Sequence, residues 1–187
     1  VNIPQLVVPQ GGIVGVLGNN GAGKTTFAKC LCGLEKSAQG FLRVGNDSLN
    51  AKQRLQKCYM VMQDVNHQLF TESVLQEVML TSMGNKQKIS KIDEILEILN
   101  LNIYRENHPM SLSGGQKQRT AIAVATLMDT DVLIFDEPTS GLDYKNMIGV
   151  AGILHTLAEM GKAILVISHD NELLMKICNR GIIIENK

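Results

Sequence analysis

A chain of 187 residues carries 18 Lys+Arg against 18 Asp+Glu, is 44% hydrophobic and 4% aromatic, and contains no Trp. That length suits one globular domain; the apolar fraction is too high for disorder, and the longest apolar runs, Ile13–Leu17 and residues 121–127, fall far short of the roughly 18 that span a bilayer. Zero net charge argues against a generic polyanion binder, which draws its affinity from a basic excess.

In chain order, Gly11-Gly12 is a turn and Ile13–Leu17 a short apolar run of buried-strand type. A glycine-rich loop follows, and then Lys24–Cys32 reads as a helix closed by Gly33. Residues 41–44 and 59–62 read as strands, with a turn at Gly45-Asn46-Asp47 between them. From there to about residue 128 the pattern is helical, with Ile89, Ile92, Ile95, Leu96 and Leu99 on one helical face. Strands return at residues 132–135 and at Ala163–Ile167, separated by a helix over 144–160 that Gly161 stops. A short helix over 172–178 and an apolar segment at 181–184 close the chain. Strand–helix alternation interrupted by a helical insert implies a parallel-sheet α/β core with a helical subdomain over about 64–128. No internal repeat and no low-complexity segment is visible.

The neutral total is a sum of unequal parts. Residues 1–62 hold seven Lys/Arg against two Asp/Glu, residues 63–130 six against eight, and residues 131–187 five against eight. A basic first third suggests an anionic ligand there and carboxylate chemistry later; uneven solvated surface charge explains it equally well. Cys30, Cys32, Cys58 and Cys178 form no CxxC pair and sit in apolar surroundings. With no basic-plus-apolar signal peptide opening the chain, the expectation is small core thiols in a soluble, intracellular protein.

Gly18-Asn19-Asn20-Gly21-Ala22-Gly23-Lys24-Thr25 satisfies G-x4-G-K-[ST] between a strand and a helix. Glycines let the backbone curl into an anion nest, and the helix that follows presents its positive N-terminus, through Thr26, to the same phosphates. Lys24 is expected to neutralise β- and γ-phosphates, and the Thr25 hydroxyl to coordinate Mg2+. Further on, an apolar strand ends in Asp136-Glu137, which delivers two acids to the carboxyl edge of a sheet, where ligands of open α/β folds sit. There Asp136 would hold Mg2+ through a water and Glu137 would polarise the attacking water. Leu112-Ser113-Gly114-Gly115-Gln116 precedes an amphipathic helix over 117–127. Ser113 and Gln116 have capping-box spacing, so this is a second helix N-terminus able to meet an anion.

These motifs, in this order, resemble the nucleotide-binding domain of ABC ATPases. The resemblance implies an α/β fold, a P-loop NTPase core with a mainly parallel sheet plus a helical ABC signature subdomain. It assigns Gln63 to the Q-loop, linking Mg2+ and the nucleophilic water to the helical part. Ser140-Gly141-Leu142-Asp143 is similar to the D-loop, and His169, after the Ala163–Ile167 strand, to the switch histidine that contacts the γ-phosphate. ABC domains dimerise head to tail around two ATP molecules, which would give Ser113, Gly114, Gly115, Gln116 and Asp143 a role at the partner's ATP. The implied activity is ATP hydrolysis, with Lys24, Gln63, Glu137 and His169 as the catalytic set.

Residues 63–78, with Gln68-Leu69-Phe70 followed by a Val-x-x-Glu-Val helix, resemble energy-coupling-factor ATPases, although Val65 stands where many relatives have proline. Such ATPases import vitamins or metal ions with separate membrane subunits, so the implied partners are a second ABC domain, identical or different, and a transmembrane subunit at the cytoplasmic face of the membrane. In that family the segment docks on the membrane subunit; its apolar residues also read simply as packing. The competing readings are a soluble ABC-type ATPase acting on ribosomes or nucleic acid, which neutral charge disfavours, and a catalytically weak regulatory subunit, which intact Lys24, Glu137 and His169 disfavour. No aromatic residue precedes Phe27 to stack on adenine as in that family, and the apolar segment 181–184 ends almost at the terminus, so the sequence is expected to be trimmed at both ends and to bind ATP more weakly than a longer version.

Overall fold

The computed structural model describes residue 3 and residues 5–35, 40–82 and 85–185. The first strand, β1 (Ile13–Leu17), leads to α1 (Lys24–Cys32); a small hairpin of β2 (Leu42–Val44) and β3 (Asp47–Leu49) then precedes α2 (Ala51–Lys57) and β4 (Cys58–Val61). Four helices follow without an intervening strand among the described residues: α3 (Val74–Leu80), α4 (Lys86–Ile89), α5 (Ile92–Ile98) and α6 (Gly114–Thr126). The chain then alternates through β5 (Val132–Asp136), α7 (Tyr144–Glu159), β6 (Ala163–Ile167), α8 (Asn171–Ile177) and β7 (Arg180–Ile183).

Five strands form one sheet in the order β4-β5-β6-β1-β7, every neighbouring pair parallel. Both faces are covered, which is why the strands read as unbroken apolar runs. Leu133, Phe135, Ile164 and Val166 enter the core shared with α3, α5, α6, α7 and α8, whereas Val132, Ile134, Leu165 and Ile167 enter the core shared with α1. Each large apolar side chain buried this way contributes roughly 1.5–3 kcal/mol. Because the strands are parallel and in register, with Asp136 opposite Ile167 and Ile167 opposite Val16, their carboxyl ends share one edge. Across that edge the chain presents Gln63, then Asp136-Glu137, then Ser168-His169, then Gly18.

Three local features depart from the sequence pattern. Residues 46–57 hold β3 and α2, which the pattern left as a turn and a gap. No residue of α2 is buried, so it has no apolar stripe to betray it; an Asn50–Gln53 capping box specifies it instead. The isoleucine face splits in two, with α4 ending at Ile89 and α5 starting at Ile92. Ser90 donates its hydroxyl to Gln87 O, a local bond that competes with helix continuation. Ile89 is left exposed while Ile92, Ile95, Leu96 and Leu99 are buried. The signature helix also begins earlier than expected, at Gly114, capped by Ser113 with Gln116 reciprocating. Cys32 and Cys58 are buried and Cys30 and Cys178 half-buried, all four free. Burial pushes the Cys32 thiol up to about 12 and Cys58 and Cys178 to about 11, so these are inert packing groups.

Candidate active site

Gly18 follows β1 directly with φ 149, and a Cβ built there would lie 2.3 Å from Ile184 O. The carbonyl belongs to the segment that Ile184 N–H ties to Leu17 O at 2.8 Å, so the last strand fixes where the loop departs. Gly23 (φ 94) occupies the cap position of α1 and offers no side-chain bond, leaving the first helical amides free to face an anion. Lys24 Nζ donates to Gly18 O (2.7 Å) and Asn19 O (3.1 Å), spanning the loop from inside. Thr25 Oγ1 donates to Asp136 Oδ2 at 2.7 Å across the gap between α1 and β5. Asp136 is 2% exposed. Burial raises its pKa above the usual 3.8, opposed by the Thr25 hydrogen bond, reinforced by the charge of Glu137 and opposed again by Lys24.

Glu137 follows in a left-handed conformation, φ 50, which a non-glycine residue adopts only under constraint. Its N–H donates to Ile167 O at 2.8 Å, so pairing between β5 and β6 continues one residue past the strands and turns the side chain toward β6. There Glu137 Oε1 lies 2.8 Å from His169 Nδ1, and Oε2 accepts from Ser168 Oγ at 3.1 Å. Gln63, two residues past β4, completes a cleft of about 470 Å3 that it lines with Asn20, Gly21, Gly23, Lys24, Thr25, Thr26, Asp136, Glu137 and His169. Ala22 is 1% exposed and packs in the core beneath the loop, so its side chain serves packing.

The signature residues lie elsewhere. Gly114 lines a second cleft of about 200 Å3 with Gln63, Asn66, Lys117, Gln118 and Ser140, and Gln63 is the residue common to both clefts. Ser113 and Gln116 are engaged in capping α6, and a Cβ on Gly115 would meet Leu142 Cδ2 at 2.9 Å, which brings the signature turn against the D-loop segment. Asp143 caps α7, accepting from Asn146 N at 2.8 Å. Within one chain, Ser113–Gln116 and Asp143 do not join the cleft that holds Lys24 and Glu137. Ser168 belongs to none of the sequence motifs. Its only mark in the sequence is a hydroxyl residue at the first position past an apolar strand.

The family model described as ABC transporter matches residues 1–140. The chain belongs to the ABC transporter family. A Treponema denticola protein named as an ABC transporter ATP-binding protein is 50% identical over 175 residues, covering 93% of this chain and 35% of its own length. A second such protein from the same organism is 38% identical over 182 residues, or 97% of this chain and 37% of its own length. This ABC chain therefore spans about a third of the curated relatives it matches. Among solved structures, the ATP-binding cassette MJ0796, dimeric in a post-hydrolysis state bound to ADP and Pi, shares 27% identity at a TM-score of 0.82, over 96% of this chain and 84% of that one. The cbiO1 protein of Clostridium perfringens, part of the ABC transporter complex cbiONQ, shares 27% identity at a TM-score of 0.77, over 96% of this chain and 76% of that one. The fold is the α/β P-loop NTPase core of the ABC ATPases.

Proposed function

We propose that this ABC domain binds and hydrolyses ATP, works as a head-to-tail dimer with a second ABC domain, and drives uptake of a vitamin or a metal ion through separate membrane subunits. The observation that carries the reading is the single cleft in which the phosphate loop, the Thr25–Asp136 pair and the Glu137–His169 pair converge. Helix-terminal amides and Lys24 suit the triphosphate. A hydroxyl and a carboxylate oxygen at hydrogen-bonding distance are the hard donors that Mg2+ prefers, completed by substrate phosphates and water. Bound there by Thr25 and Asp136, with Gln63 at the cleft wall, Mg2+ would neutralise charge on the phosphate oxygens.

Glu137 acts as general base, taking a proton from the water that attacks the γ-phosphate. An ionised Glu137 only accepts, so His169 Nδ1 carries the proton between them, and the exposed imidazole meets the γ-phosphate by turning away from Glu137. The capped N-terminus of α6 would meet the ATP of a partner domain, since Ser113–Gln116 and Asp143 do not join their own chain's phosphate cleft.

The importer assignment draws on the resemblance of residues 63–78 and on the likeness to cbiO1. Within that segment Leu69, Val74 and Val78 are core residues, while Phe70 is 78% exposed and is the side chain offered to a membrane partner. No described helix is long and apolar enough to cross a membrane; in this reading the path belongs to other subunits and the domain sits at the cytoplasmic face. The test is Glu137→Gln. It should retain ATP binding, lose turnover by roughly 100- to 10,000-fold, and accumulate an ATP-dependent dimer in size-exclusion chromatography. Hydrolysis at the wild-type rate would remove Glu137 from this role.

A further inference from the structure

We propose that Ser168 is the positioning residue of the catalytic carboxylate, the anchor that keeps Glu137 aimed when His169 turns to the γ-phosphate; this rests on Glu137 being the general base. Ser168 stands one residue past β6 and is 2% exposed. Its hydroxyl has one proton to give. Asp170 N–H donates to Ser168 Oγ at 3.0 Å, and Ser168 Oγ donates onward to Glu137 Oε2 at 3.1 Å. Asp170 is itself held, its Oδ1 accepting from Leu173 N at 3.0 Å as the cap of α8 and its Oδ2 from Thr139 Oγ1 at 3.0 Å. The serine is therefore fixed from below by a network that does not include the base.

Glu137 is held by two groups of opposite character. His169 has a side chain 76% exposed and makes its bond to Oε1 from the solvent side. It is free to exchange that bond for a phosphate. Ser168 is enclosed and has no such alternative. When His169 leaves, Oε1 is released while Oε2 remains held, and the left-handed backbone of Glu137, tied to Ile167 O, keeps the same orientation. Oε1 is thus the oxygen that takes the proton: the water oxygen bonds to the γ-phosphorus, its proton passes to Oε1, and the bond from that phosphorus to the bridging oxygen breaks to leave ADP. A serine whose task was only to satisfy Asp170 N–H would need no donor proton aimed at Glu137, and this difference makes the two roles separable.

The experiment measures ATP hydrolysis by the full-length protein. Ser168→Ala should lower kcat roughly tenfold, the loss of one hydrogen bond to a charged group, with KM for ATP within about twofold of wild type. Ser168→Thr, which keeps the hydroxyl, should restore most of kcat, and Ser168→Ala added to Glu137→Gln should cost nothing more. Should the alanine variant not fold, Ser168→Cys keeps the volume but offers only a weak S–H donor, and it should lose kcat likewise. Wild-type kcat in Ser168→Ala or Ser168→Cys, equal losses in Ala and Thr, or a further loss in the Glu137→Gln background would overturn the assignment. A Glu137→Gln protein that turns over normally sinks the base assignment and this one with it; an inactive Glu137→Gln beside a fully active Ser168→Ala sinks only this one.

Discussion

Asp136 shows how one side chain trades stability for function. It is buried at the end of β5 with a single hydroxyl partner, so its folded-state pKa lies above the unfolded 3.8. A raised carboxyl contributes its stabilisation below the unfolded value and loses it as pH climbs through the folded one. At neutral pH the ionised group is thus a net cost, and Asp136→Asn, which keeps an acceptor for Thr25, should melt at a higher temperature than wild type. Calorimetry over a pH series checks the sign: the gap should narrow as pH falls and close below about 3.8. A gap independent of pH would contradict the argument. The position of Asp136 was legible, because a buried apolar strand must end where its first acid stands. The left-handed turn at Glu137 was not. No glycine or asparagine marks it; it exists because Ile167 O, thirty residues later, accepts the Glu137 N–H.

Helix α3 illustrates the same division one level up. Ser73 caps it by accepting from Gln76 N at 3.2 Å, and Val74 and Val78, apolar residues that read as packing, supply its buried face. Glu77 is 3% exposed, although a helical carboxylate is ordinarily solvated. Its Oε2 accepts from Phe70 N (2.7 Å), Thr71 N (2.8 Å) and Thr71 Oγ1 (2.9 Å), pinning the turn that carries Phe70 into solvent. Glu77→Ala leaves two backbone donors without their acceptor and should cost about 3 kcal/mol in urea unfolding. Glu77→Gln, which keeps one carbonyl acceptor, should cost clearly less. Helices without a buried face remain invisible to periodicity, as α2 shows, and a hydroxyl such as Ser90 splits a face that the isoleucines alone would leave continuous.

At the scale of the whole molecule, the incomplete feature is the signature turn, which does not line its own chain's phosphate cleft. A Cβ on Gly114 would meet nothing within 4 Å, so within one chain Gly114→Ala is sterically harmless. If a partner's ATP docks there, the same methyl group intrudes on it. Gly114→Ala should therefore leave the melting temperature within about 1 °C of wild type yet reduce ATP-dependent dimerisation at least tenfold, measured by analytical ultracentrifugation in the Glu137→Gln background. An unaffected dimer would place the second anion site elsewhere. Local chemistry by itself determined the phosphate loop, the strand-terminal acids, the signature cap and the alternation that makes a parallel sheet, because each depends on neighbours a few residues apart. Only the tertiary structure decided the strand order β4-β5-β6-β1-β7, the approach of Ile184 to Gly18, and the pairing of Glu137 with Ser168 and His169. Those contacts join segments separated by thirty or more residues, and their geometry comes from packing both faces of one sheet, which no local pattern encodes.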